Sequence, residues 1–160
     1  MEIREIRLAV PDGCQLILGQ SHFIKTVEDL YETLATSMPG IRFGVAFCEA
    51  SGKALIRSEG TDVDSTGLAK EFAKQLAAGH CFVVVLAGSF PINVLNRVKA
   101  VEEVATVYCA TANPVTVVVA DTAEGRAILG VADGVRSKGV ESESDAAERR
   151  KFLRDIGYKK

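Results

Sequence analysis

Apolar positions along this chain switch between two spacings, and the switches outline its elements. From Ile3 to Val10, aliphatic and charged residues alternate as in a strand with one wet face, and Pro11-Asp12-Gly13 supplies a turn. A second short strand runs from Cys14 to Leu18 and is expected to end at Gly19. The period then changes. Val27, Leu30, Tyr31 and Leu34 recur at i, i+3, i+4 and i+7, one face of a helix. Thr26 stands where an N-cap belongs, Asp29 follows three residues later as in a capping box, and Pro39-Gly40 ends the pattern.

Alternation returns between Ile41 and Glu49. Phe43, Val45 and Phe47 share one side, while Gly44, Ala46 and Cys48 share the other, all small enough for something to approach that side closely. Ser51-Gly52-Lys53 links this strand to Ala54–Ser58 as an antiparallel hairpin. Asp62 or Asp64 caps a helix whose apolar face is Leu68, Phe72 and Leu76, ending at Gly79. His80 to Ala87 is almost continuously apolar, the pattern of a central strand covered on both faces. Pro91 opens a third helix carrying Val94, Leu95, Val98 and Val101. Strands follow at Val104–Thr111, Val115–Asp121 and Arg126–Ala132, then the polar loop Asp133–Ser144 and a last helix, Asp145–Ile156, closed by Gly157. Helices and strands interleave without a linker or repeat, which predicts one α/β domain over 1–160: a layered sandwich with a mixed central sheet.

Composition narrows the partners. At 160 residues the chain can bury roughly two-thirds of its unfolded surface in one core. A net charge of −2, 6% aromatic residues and no Trp argue against a surface built for nucleic acid. No stretch approaches the ~20 apolar residues that span a bilayer, so no membrane partner is expected. The first seven residues read as a strand and not as a signal peptide. The four cysteines, at 14, 48, 81 and 109, form no C-x-x-C pair and read as reduced thiols of a cytoplasmic protein. Three Asn and three Gln agree with a thermophilic source.

Familiar catalytic signatures are missing: there is no Walker loop, G-x-G-x-x-G, G-x-S-x-G or H-E-x-x-H. The first candidate is His22, in a polar patch just before a helix start. An imidazole is a competent nucleophile near neutral pH, its unperturbed pKa being about 6.5. Attack on a phosphoryl group would give a phosphohistidine, with Ser21, Lys25 and the free N–H groups of the helix start cradling the oxygens. Glu49, beside the Ser51-Gly52 turn, can orient an imidazole or hold Mg2+ through water. His80 is a reserve acid–base group, and equally a structural residue at a strand start. Phe90, Asn93 and Asn113 lie just after apolar strands, where α/β sheets bind ligands, and suit stacking on a base and reading its edge; they are also ordinary turn residues. Arg136 and Lys138 sit in a glycine-punctuated loop able to form an anion nest.

Six segments then carry a resemblance: GQSHFIKTVEDLY (19–31), FGVAFCEASG (43–52), FPINVL (90–95), CATANPV (109–115), ILGVADG (128–134) and FLRDIGYK (152–159). Together they resemble the adenosine-specific kinase family across nearly the whole chain. That resemblance implies a three-layer α/β/α sandwich, assembly as a homo-oligomer (a trimer or hexamer), and binding of adenosine or AMP. It also implies a stable phosphohistidine, placed here on His22, with ATP or another phosphate donor as its source. The alternative it leaves open is a sensor or structural oligomer in which the phosphohistidine is only a mark.

Overall fold

The computed structural model describes residues 1–160. In chain order the elements are β1 (Glu2–Leu8), β2 (Cys14–Ser21), α1 (Thr26–Ala35), β3 (Arg42–Cys48), β4 (Ile56–Gly60), α2 (Val63–Leu76), β5 (Cys81–Ala87), a 3-10 turn (Pro91–Asn93), α3 (Leu95–Lys99), β6 (Val104–Thr111), β7 (Val115–Asp121), β8 (Arg126–Asp133) and α4 (Glu143–Asp155). They build two sheets, one of five strands in the order β4-β3-β5-β2-β6 and one of three in the order β1-β7-β8.

The mixed central sheet expected from the pattern is corrected: every pairing in both sheets is antiparallel. β5 lies at the centre of the large sheet, and its apolar run is buried on both faces as anticipated. On one face Phe43, Val45, Phe47, Phe82 and Val84 pack under α1 and α3. On the other, Ala46, Cys48, Val83 and Val85 pack under α2 and also under Val115, Val117 and Val119 of the small sheet. The layer opposite α1 and α3 is therefore half helix and half sheet, not the helical layer of an α/β/α sandwich. The chain changes sheets within Ala112-Asn113-Pro114, because β6 pairs with β2 whereas β7 pairs with β1 and β8.

Local chemistry explains the element ends, and several differ from expectation. Thr26 is not an N-cap; it is fully buried and its hydroxyl donates back to the Phe23 carbonyl at 2.7 Å, while Lys25 occupies the cap position without a side-chain capping bond. The strand expected to stop at Gly19 runs on to Ser21, kept in register with β6 by two shifts. Asp62, not Asp64, caps α2 by accepting from the Ser65 N–H, and Ala77 ends that helix in the left-handed region before Gly79 is reached. Ser142 and Asp145 make a reciprocal capping box on α4. The small residues of β3 meet a helix: a Cβ on Gly44 would lie 2.3 Å from the Thr66 backbone of α2.

Candidate active site

Strand register gathers the chemistry at one end of the large sheet. β2 and β3 finish there, and β4, β5 and β6 begin there. His22 follows β2 directly, and its backbone N–H donates to the Glu103 carbonyl at 2.7 Å. His80 is fixed from both sides, its N–H donating to the Cys48 carbonyl at 2.7 Å and its carbonyl accepting from Ser21 N–H at 3.0 Å. The two imidazoles meet edge to face with centroids 6.2 Å apart, and His80 stacks on Phe47 at 5.8 Å. His22 is exposed, and His80 is half-buried.

One member of this pair and the residue after the other are strained. His80 has φ 62° and Phe23 has φ 87°, a region that L side chains rarely adopt. Such residues cost on the order of 1 kcal/mol or more and persist where the surroundings enforce them. Three buried side-chain atoms in the whole chain lack a hydrogen-bond partner: Ser21 Oγ, Glu103 Oε2 and Arg57 Nε. All three belong to this end of the sheet. An unpaired buried polar group costs about 1–3 kcal/mol, and folded proteins carry few. All of the chain's unpaired buried polar side-chain atoms thus gather at the end of the sheet that carries His22.

The expected cation is already committed. Lys25 Nζ is ion-paired with Asp29 and lies 3.3 Å from Glu103 Oε1. Its bond to Asp29, and then that to Glu103, raises the Lys25 pKa, while the same lysine holds the Asp29 carboxyl below its usual range. Glu49 is likewise occupied: Oε2 accepts from Leu55 N–H and from Arg57 Nη2, each at 3.0 Å. The Leu55 N–H foremost, then Arg57, keeps the Glu49 carboxyl below the normal carboxylate value. Glu49 thus pins the β3–β4 turn and Arg57; no bond joins it to His22. Nowhere do three His, Cys, Asp or Glu side chains converge on one point. With Glu49 so engaged, the residues here do not fit a magnesium ion held by the protein. Ser51, in the same turn, is exposed, and its carbonyl accepts from Ala54 N–H at 3.0 Å.

Beside His22 a cleft of about 640 Å3 opens between the Phe23–Glu28 segment and β4. Phe23 and Arg57 line it, and neither was singled out from sequence. The readable signal was Phe23-Ile24, two bulky apolar residues in an otherwise polar approach to a helix. Glu103, whose carbonyl and carboxylate both serve the site, carried no signal at all.

Residues 6–159 match the family described as adenosine specific kinase. The chain belongs to that family. The crystal structure of the PH1918 protein from Pyrococcus horikoshii OT3 is similar at 42% sequence identity and a TM-score of 0.95, covering 99% of this chain and 98% of that one. No match was found among curated proteins. Membership in the adenosine-specific kinases points to adenosine binding and phosphoryl transfer, hence to a phosphate donor.

The remaining candidate residues of this family member lie elsewhere. Phe90 and Asn93 follow the far end of β5, and Asn113 follows the far end of β6. The seven residues of β5 separate the two ends by roughly 20 Å. Asn93 Oδ1 accepts from Phe90 N–H at 3.1 Å, a cap on the 3-10 turn. Asn113 Nδ2 donates to Asp133 Oδ1 at 3.1 Å, and Thr111 Oγ1 donates to the same oxygen at 2.8 Å, tying the two sheets together. Arg136 and Lys138 are exposed in the segment before α4 and do not line the cleft. Within one chain these five residues do not meet His22.

Proposed function

We propose that this protein transfers a phosphoryl group to adenosine through His22. A ring nitrogen of His22 attacks the terminal phosphorus of a donor such as ATP, forming a P–N bond as the bond to the leaving ADP breaks. The hydroxyl of adenosine then attacks the same phosphorus, the P–N bond breaks, and AMP leaves. The hydroxyl proton passes to His80, the second imidazole of the site, and on to solvent. The observation that carries this reading is the exposed His22 ring, edge to face with His80, at the end of the sheet that holds the chain's three unpaired buried polar atoms.

The test replaces His22 with Gln and follows label from γ-labelled ATP. The expected result is loss of both acid-labile label on the protein and labelled AMP, with His80→Gln retaining the former and slowing the latter. Undiminished labelling of His22→Gln overturns the mechanism.

One observation favours a second reading, an adenosine or AMP sensor whose phosphohistidine is a static mark. The charge of Lys25 is balanced inside the chain by two carboxylates, which leaves no evident grip for a triphosphate. That reading expects saturable AMP binding and no turnover with any donor. A homo-oligomer is supported in either case by Phe152, Ile156 and Tyr158, exposed in and after α4, and by Val140 at 97% exposure. A cytoplasmic setting is supported by four free cysteines, of which burial pushes Cys48 and Cys109 up to about 11. No helix is long and apolar enough to cross a membrane.

A further inference from the structure

We infer that the cleft beside His22 is an acceptor subsite for adenosine and its monophosphate, in which Phe23 stacks on the base and Arg57 grips the single phosphate. This inference rests on the phosphotransferase reading above and assigns its acceptor a place.

Strand register sets the position of Arg57. It stands opposite Phe47 in the β3–β4 ladder, so both side chains lie on the face of the sheet that carries α1. His80 stacks on that same Phe47. Glu49 holds Nη2 of the guanidinium, Nε is buried with no partner, and the chain provides no acceptor for the remaining N–H groups. A guanidinium held at Nη2 and uncommitted at Nη1 can donate from Nη1 to an oxyanion in the cleft.

Phe23 supplies the apolar part. The residue is 52% exposed, its ring lies 6.1 Å from that of His22, and its backbone is held at φ 87°. Strain that keeps a large ring out of the core has no packing return in the chain alone. A purine laid on that ring would cover it, and stacking of this kind works with any base face. The cleft volume lies within the range of small-molecule sites.

Charge selects the ligand. Lys25 and Arg57 face Glu28 and Glu59 across the lining, and Lys25 is already neutralised by Asp29 and Glu103. Arg57, held by Glu49 at Nη2, is the cation with an N–H to spare, and with Glu28 and Glu59 in the same lining it suits a nucleoside or a monophosphate and disfavours a triphosphate. The carboxylates can accept from ribose hydroxyls, which carry no charge.

Calorimetric titration with adenosine, AMP and a non-hydrolysable ATP analogue tests this on wild type, Phe23→Ala, Phe23→Leu, Arg57→Gln and Arg57→Lys. Loss of stacking in either Phe23 variant is expected to weaken adenosine and AMP alike, by roughly 5- to 150-fold. Arg57→Gln is expected to leave adenosine unchanged and bring AMP down to the adenosine level, with Arg57→Lys restoring part of the difference. The ATP analogue should not displace AMP from the wild-type protein. Wild-type affinities in all four variants, or displacement of AMP by the analogue, overturn the subsite. Those results leave protein labelling at His22 untouched, whereas persistent labelling of His22→Gln sinks the phosphotransfer reading without touching the cleft.

Discussion

Gly44→Ala offers a direct test of how tightly the layers are packed. Gly44 pairs with Gly60 across β3 and β4, and the two glycines leave a bare patch on which the first turn of α2 rests. A Cβ at Gly44 would lie 2.3 Å from both N and Cα of Thr66 and 2.4 Å from the Ser65 carbonyl carbon. All three are backbone atoms, so no side chain can swing aside. Relief requires α2 to retreat by about an ångström from ordinary carbon contact. Retreat is resisted by the Asp62 cap on Ser65 N–H and by Ala69, Phe72, Ala73 and Leu76, all buried along the same helix. Overpacking against a fixed backbone costs about 3 kcal/mol, the upper part of the usual range. For a domain of this size that is roughly 6–12 °C in Tm. Gly67→Ala is the control: it lies inside the same helix, a Cβ there meets nothing within 4 Å, and the helix should gain about 0.5–1 kcal/mol. Thermal unfolding followed by circular dichroism, at matched protein concentration, reads both variants. The same substitution should move Tm in opposite directions at the two positions. A Gly44→Ala protein within 1 °C of wild type would show that α2 does not sit where its contacts place it.

Three further outcomes are expected. Phe90→Ala and Asn113→Ala should both bind AMP as wild type does in calorimetry, because they stand at the other end of the sheet; Asn113→Ala should lose about 1 kcal/mol of stability with its bond to Asp133. Lys25→Met should destabilise the fold by leaving the buried Glu103 carboxylate without its partner, and adding Glu103→Gln should recover part of the loss in denaturant titration. The Asp62 carboxyl is lowered to about 2 by the Ser65 hydroxyl first, then the Ser65 N–H and Arg42. A depressed carboxylate contributes stability above its unfolded pKa, near 4, that disappears as pH falls through 2. Asp62→Asn should therefore flatten the pH dependence of Tm between those values and lower Tm near neutrality, where the carboxylate's bonds to Ser65 and Arg42 contribute in full.

Elements were legible where one physical rule governed them. β6 and β7 fall where alternation put them, and β5 is the central strand that its unbroken apolar run required. The β3–β4 hairpin followed from a short glycine turn. Boundaries failed where tertiary contacts overrode local signals. Thr26 has the chemistry of a cap, yet burial under the core turned its hydroxyl toward the Phe23 carbonyl. Gly19 has the chemistry of a strand end, yet it is where β2 lets the Phe82 ring pass, a Cβ there falling 2.3 Å from that ring. The division into two sheets could not be read, because Ala112-Asn113-Pro114 looks like any hairpin link and only pairing partners show that it is not one.

The candidate site was half legible, and the division has one cause. In a parallel sheet all strands point the same way, so the loops after their carboxyl ends converge on one edge. That rule put forward Phe90, Asn93 and Asn113, which follow β5 and β6, whereas His22 and Glu49, chosen for their own chemistry, follow β2 and β3. In the antiparallel sheet that the chain forms, β2 and β3 run against β5 and β6, so the carboxyl ends divide between opposite edges. His22 and Glu49 arrive on one edge, and Phe90, Asn93 and Asn113 on the other. The residues that meet His22 therefore come from segments that precede strands, His80 before β5 and Glu103 before β6, while Arg57, in the first residues of β4, lines the adjoining cleft. Once strand direction is known, that assignment follows from connectivity alone. Its consequence is that substitutions before β4, β5 and β6 should alter chemistry at His22, while those after β5 and β6 should alter only stability or assembly.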